Sequence, residues 1–164
     1  MMVIRSAKLD DVARLSAVMG TVIQETGAYL EPRGPDYTRL AVQLQAVSAG
    51  QRIHLLAEYC GEIMGWVEVA PYPATTMRHA ANLAIGVAAP YRGRGVGSAL
   101  LQQALKNSFA AGLRVIHLEV EAGNKAALGL YARCGFKIDG IRRMAKLCPK
   151  TGTYVDLVLM TCLK

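Results

Sequence analysis

The sequence predicts an α/β chain of the α+β type, with helices interspersed along one mixed, mostly antiparallel sheet of about seven strands. Three observations predict it. Strand and helix patterns alternate in the order β-α-(α)-β-β-β-α-β-α-β-β. Hairpin connections outnumber crossovers, which favours antiparallel pairing. The 164 residues are 52% apolar and 19% charged, enough for one domain, 1–164, to bury a core without disulfide staples.

Met2 to Arg5 reads as a short apolar strand. A helix follows from Asp10, where Asp10 or Asp11 can cap it and Val12, Leu15, Val18 and Val22 recur on one face; it should end near Gly27. TGAYLEPRGPD holds two prolines and two glycines and reads as loop, and a weaker helical pattern runs from Tyr37 to about Val47. HLLAEY and EIMGWVEV flank Cys60-Gly61, a two-residue hairpin turn. Ala80 to Val87 is a strand, ended by Pro90. In the helix that follows, Val96, Leu100, Leu101, Ala104, Leu105 and Ser108 share a face, and Gly112 closes it. VIHLEV then places Ile116, Leu118 and Val120 on one side, and His117, Glu119 and Glu121 on the other. Asn124 caps a short helix with Ala127, Leu130, Tyr131 and Cys134 on one stripe, and Gly135 ends it. FKIDGIRRM and TYVDLVLMTCL are the last strands, joined through the turn Pro149-Lys150-Thr151-Gly152.

Composition removes several function classes. MMVIRSAKLDD meets charge by its fifth residue and lacks the apolar region of a signal peptide, and no apolar run approaches a membrane span. Cys60, Cys134, Cys148 and Cys162 are far apart and form no CxxC, so neither a zinc site nor a disulfide framework is suggested. His54, His79 and His117 are single and scattered, which reads as structural. A reduced, cytoplasmic, metal-free protein is expected. The net charge of +7 suits nucleic acid, an anionic membrane or a small polyanion. Cations are dispersed, dense only at Arg92/Arg94 and Arg142/Arg143/Lys146, and no nucleic-acid motif accompanies them, so a small polyphosphate ligand fits best.

PYRGRGVGSALL, from Pro90 to Leu101, admits a phosphate cradle, an unliganded turn or a linker. The first turn of a helix has free N–H groups and the positive end of the dipole. Glycines at 93, 95 and 97 keep side chains away from a pyrophosphate and permit positive φ, and Arg92 and Arg94 add charge. It is not a Walker loop, since no GK[ST] follows. Nor is it a dinucleotide fingerprint, since Ser98 and Leu100 stand where the third glycine belongs.

A second stretch, NKAALGLYARCGF, follows a strand further on: Asn124-x-x-Ala127-x-x-Leu130-Tyr131-x-x-x-Gly135-Phe136. With Arg92-x-x-Gly95-x-Gly97, and with the element order of the whole chain, it resembles the GNAT superfamily of acyl-CoA-dependent N-acyltransferases. LEVEAGNKAALGLYARCGF is similar to the ribosomal-protein N-terminal acetyltransferases, and the ending GTYVDLVLM to the amino-acid and phosphinothricin-like enzymes. The resemblance implies a sheet with helices on both faces and acetyl-CoA as co-substrate. It carries coenzyme binding onto Val87, Arg92, Gly93, Arg94, Gly95, Val96, Gly97, Ser98, Asn124 and Tyr131. In the family the strand before the loop splays from its neighbour and pairs with pantetheine. Here that strand is Asn82 to Val87, with the Val87 N–H as oxyanion donor; an ordinary sheet strand is the other reading.

The chemistry so implied moves an acetyl group from a thioester to a primary amine by direct attack in a ternary complex. The ammonium must lose a proton, the oxyanion needs a donor, and the thiolate gains from an acid. Tyr131 matches the family tyrosine that reaches the sulfur, though its spacing suits core packing equally. Relatives carry a carboxylate where this chain has Asn82. Glu119 is the expected base, twelve residues before Tyr131 as in the ribosomal-protein enzymes; a surface ion pair is its alternative, and Glu68 or a water chain can replace it. The acceptor is a small molecule, an amino acid among the candidates, or a protein N-terminus; Glu31 would attract a cation and Arg142, Arg143 and Lys146 a carboxylate. No metal, nucleic acid or membrane partner is expected, and a homodimer is left open. A catalytically idle acyl-CoA-binding or regulatory module on the same scaffold is the alternative function.

Overall fold

A computed structural model describes residues 1–26, 36–148 and 151–164. The expected loop with Glu31 lies outside the described residues, as does part of the turn at Pro149. The strands are β1 (Val3–Ser6), β2 (Ile53–Tyr59), β3 (Glu62–Pro71), β4 (Ala80–Val87), β5 (Val115–Glu121), β6 (Lys137–Leu147) and β7 (Tyr154–Leu163). The helices are α1 (Val12–Thr26), α2 (Tyr37–Ser48), α3 (Val96–Ala110) and α4 (Lys125–Arg133). Element order agrees with the expectation throughout; β6 runs three residues past the expected Met144. The seven strands lie in the order β1-β2-β3-β4-β5-β7-β6. Every adjacent pair is antiparallel except β4 and β5.

Helices cover both faces, because strand alternation makes both apolar. On one face Leu56 and Trp66 pack with Val12, Leu15, Met19 and Ile23 of α1 and Leu40 and Leu44 of α2. On the other, Val67, Leu83, Ile116 and Leu118 pack with Leu100, Leu101 and Ala104 of α3 and Tyr131 of α4. The β2–β3 hairpin turns at Cys60 (φ 48°) and Gly61 (φ 80°), as a two-residue turn requires.

The entry to α1 differs from the expected cap. Asp11 lies in a single 3₁₀ turn, Leu9–Asp11, and is 3% exposed. Its carboxylate accepts the Lys8 N–H (2.9 Å) and is held by Arg5 (2.7 Å) and Arg14 (2.7 Å). Both arginines also reach Glu58. Asp11 thus ties β1, α1 and β2 together. Among the described residues no helix is long and apolar enough to cross a membrane, and Cys60, Cys134 and Cys162 form no disulfide.

Candidate active site

The site begins where the sheet comes apart. β4 and β5 pair in parallel at only three positions, Ala80↔Val115, Ala81↔Ile116 and Asn82↔His117. Beyond Asn82, β4 stays paired to β3 as far as Val87, while β5 pairs with β7. The Ala88 N–H donates to the Met64 carbonyl on β3 (2.9 Å). Successive strand residues aim their backbone groups at opposite edges, so the Val87 N–H faces the gap.

At the mouth of the gap the glycine-rich turn opens α3. Gly93 (φ 73°) and Gly95 (φ 81°) hold left-handed conformations that a Cβ disfavours, and Gly95 is the N-cap. No side chain caps the first turn, and the amides of Val96, Gly97 and Ser98 have no acceptor within the helix. A Cβ at Gly93 or Gly95 would meet nothing within 4 Å, so the space over this backbone is open. The turn thus presents open backbone at the positive end of the α3 dipole.

The three glycines do not share one task. Gly97 has no positive φ, and a Cβ there would stand 3.2 Å from Leu130 Cδ2 and 3.6 Å from Val87 Cγ2. It lets α3 approach α4 and the end of β4, a packing role beside the one expected of its backbone. The Val96 side chain is likewise core (2% exposed), so only its amide faces the turn. Arg92 is engaged on the protein, donating through Nε to the Val87 carbonyl (2.9 Å) and pairing with Glu25 on α1 (3.0 Å). Arg94 is exposed and forms no ion pair among the described residues.

Asn124 caps α4 as expected, its Oδ1 accepting the Ala127 N–H (3.1 Å). The next turns set Leu130 against Gly97 and bury Tyr131 to 8% exposure beside Phe136, ring centroids 5.8 Å apart. Burial pushes the Tyr131 hydroxyl up to about 12. It therefore remains a proton donor across the physiological range.

On the α1/α2 side of the sheet, Asn82, His117 and Glu119 lie on one face, and the helices leave Asn82 exposed. Glu119 Oε1 pairs with Arg142 Nη1 at 3.0 Å, and Glu121 with Lys146 at 2.6 Å. Of the three cations expected to hold a substrate carboxylate, Arg142 and Lys146 are thus matched by acids. Glu68 is on this face too, paired with Arg52 at 2.9 Å, and burial raises its pKa. His54 lies beneath, fully buried. The His117 ring centroid lies 6.0 Å from that of Tyr72, tilted by 53°, and its Nδ1 is 2.9 Å from Thr161 Oγ1. Alternation along VIHLEV had placed it beside Glu119, but its partners are Tyr72, just after β3, and Thr161 on β7.

A sheet split between two parallel strands, with an open glycine-rich helix N-terminus at its mouth and a buried phenol beside it, is the architecture of an N-acyltransferase. The chain belongs to the acetyltransferase (GNAT) family, whose family model matches residues 21–136. It is 28% identical over 159 residues to an L-methionine sulfoximine/L-methionine sulfone acetyltransferase of Pseudomonas paraeruginosa, covering 96% of this chain and 91% of that one. A shorter stretch of 59 residues is 49% identical to the N-alpha-acetyltransferase RimI of Mycobacterium tuberculosis, 36% of this chain and 35% of the relative. The fold matches a GNAT-family acetyltransferase of Streptococcus pneumoniae at a TM-score of 0.91 and 29% identity, over 100% of both chains.

Proposed function

We propose that this N-acetyltransferase uses acetyl-CoA and acetylates a primary amine, of a small molecule such as an amino acid or of a protein N-terminus, by direct attack in a ternary complex. The observation that carries the reading is the three-pair limit of the β4–β5 ladder. It leaves one edge of β4 facing a gap that ends at the open first turn of α3. The amides of Val96, Gly97 and Ser98, the Gly93–Gly95 turn and Arg94 would hold the pyrophosphate. Arg92 would turn from Glu25 to join them, and Asn124 would bond the pantetheine arm.

When bound, the coenzyme supplies an activated acyl carbon. The Val87 N–H is placed to donate to the oxygen on that carbon as charge develops there. Tyr131 holds a proton for the departing sulfur. Glu119, on the open face, draws the ammonium by charge and accepts its proton. The relatives split between an amino-acid-like acceptor and a protein N-terminus, so the acceptor is best found by experiment. Thiol release from acetyl-CoA against a panel of amino acids, amino-acid analogues and N-terminal peptides tests the reading. Binding of acetyl-CoA without turnover on any amine would favour the idle acyl-CoA-binding module.

The homodimer would form on β6, the edge strand, where Ile138, Ile141 and Met144 are more than half exposed. Ile141→Glu should then yield monomer in sedimentation.

A further inference from the structure

Three side chains on the open face form one hydrogen-bonded chain. Thr161 Oγ1 donates to the Asp139 carboxylate and lies 2.9 Å from His117 Nδ1. A hydroxyl has one proton, and an ionised carboxylate can only accept. With that proton on the bond to Asp139, the Thr161 oxygen must accept from His117 Nδ1–H. The neutral imidazole is thereby fixed as the Nδ1–H tautomer, and Nε2 keeps a bare lone pair. The strands build this chain directly: Thr161 is the register partner of His117, and Asp139 is the bulged residue between Ile138 and Gly140 on β6.

The placement gives the lone pair a use. His117 is the register partner of Asn82, in the last pair before β4 and β5 separate. Asn82 is the position where the family resemblance puts a carboxylate and where this chain has an amide that cannot take a proton. The imidazole is half-buried and so reachable from solvent. Glu119, on the same strand and face, is already bonded to Arg142.

We propose that His117 Nε2 is a second proton acceptor for the acceptor amine, beside Glu119, with Thr161 and Asp139 as its positioning residues. The proposal rests on the reading of the split sheet as the acetyl-transfer site. The proton leaves the ammonium nitrogen for Nε2, and the N–H electron pair stays on nitrogen as the attacking lone pair. Nδ1–H keeps its bond to Thr161, so the imidazolium charge faces Asp139 through one hydroxyl. After transfer the imidazolium returns the proton to water. The charged and titratable groups around the ring are Tyr72 just after β3, Glu119 from β5, and Lys137, Asp139 and, beyond Glu119, Arg142 from β6.

Two measurements test it. Nitrogen-15 NMR of the imidazoles near neutral pH should show His117 with protonated Nδ1 and bare Nε2, and Thr161→Val should shift it toward the opposite tautomer. The Nε2–H form in the wild-type protein overturns the proposal. In turnover, Glu119→Gln should retain an acidic limb in its pH–rate profile that His117→Gln removes in the same background, with a fall on the order of 10²-fold. A profile unchanged by His117→Gln in both backgrounds also overturns it. Failure of every amine to be acetylated defeats the transfer reading itself, and the proton role with it; the tautomer then stands as a separate result.

Discussion

The indole of Trp66 lies directly on the α-carbon of Gly86: a Cβ at Gly86 would stand 2.2 Å from Trp66 Cη2. Trp66 is fully buried under α1 and α2, and Gly86 is on β4 beside the gap. Gly65 presses from β3, where a Cβ would come 2.6 Å from the Gly86 carbonyl oxygen. The end of β4 is held by close packing on both neighbours. Gly86→Ala should therefore cost about 3 kcal/mol, the upper part of the usual range for overpacking. Urea unfolding measures it, and an unchanged midpoint would mean that the indole repacks without cost.

The separate tasks of Gly95 and Gly97 can be told apart. Gly95→Val strains a left-handed residue and fills open space, so acetyl-CoA affinity should fall roughly tenfold or more, about 1.4 kcal/mol. Gly97→Val pushes on Leu130 and Val87 and should lower the melting temperature as well as affinity. Calorimetry and thermal unfolding on both variants check this. A Gly97→Val variant with an unchanged melting temperature would count against the packing role.

Arg94 and Arg92 should differ in salt dependence. Removing Arg94 should weaken acetyl-CoA binding more at low than at high ionic strength, because exposed charges are screened. For Arg92 the loss should be smaller, since binding must first break its pair with Glu25. Dissociation constants at two salt concentrations decide, and a salt-independent Arg94→Ala defect would place Arg94 away from phosphate.

Tyr131→Phe should lower kcat by roughly 10²- to 10⁴-fold with little change in acetyl-CoA affinity, since the proton matters only as sulfur departs. The ring keeps its contact with Phe136, so the fold should be intact. A variant with wild-type kcat would make Tyr131 a packing residue.

Acid should destabilise the protein in two separate windows. Burial, with a smaller contribution from Arg52, depresses His54 from 6.5 to about 4. As pH falls through 6.5 the unfolded chain takes up a proton that the folded chain refuses, and stability is lost until pH nears 4. The full loss is about 3 kcal/mol. Asp11, bonded to Arg5, lies well below the usual carboxylate range, so its contribution is present above pH 3.8 and lost as pH falls further. Denaturant midpoints from pH 8 to 3 should show both, and His54→Gln should remove the first alone. Glu68, raised by burial, works in the opposite sense, and the difference between wild type and variant separates the two.

The sequence by itself determined the elements, the glycine-rich turn and the helix that follows it. These rest on local chemistry: alternation along VIHLEV, turn residues at Cys60-Gly61, and an Asn124 that caps wherever its helix starts. The family resemblance singled out Tyr131 and Glu119, without fixing what surrounds them. Tertiary structure decided what depends on neighbours far along the chain. Gly97 is a packing glycine because Leu130 and Val87 come against it. Arg142 and Lys146 are matched because β6 lies near β5 with β7 between them. His117 has a fixed tautomer because β7 brings Thr161 opposite it and a bulge in β6 presents Asp139. A run of residues can specify its own backbone, but which lone pair is left bare depends on side chains from three strands, and only the assembled sheet puts them in contact.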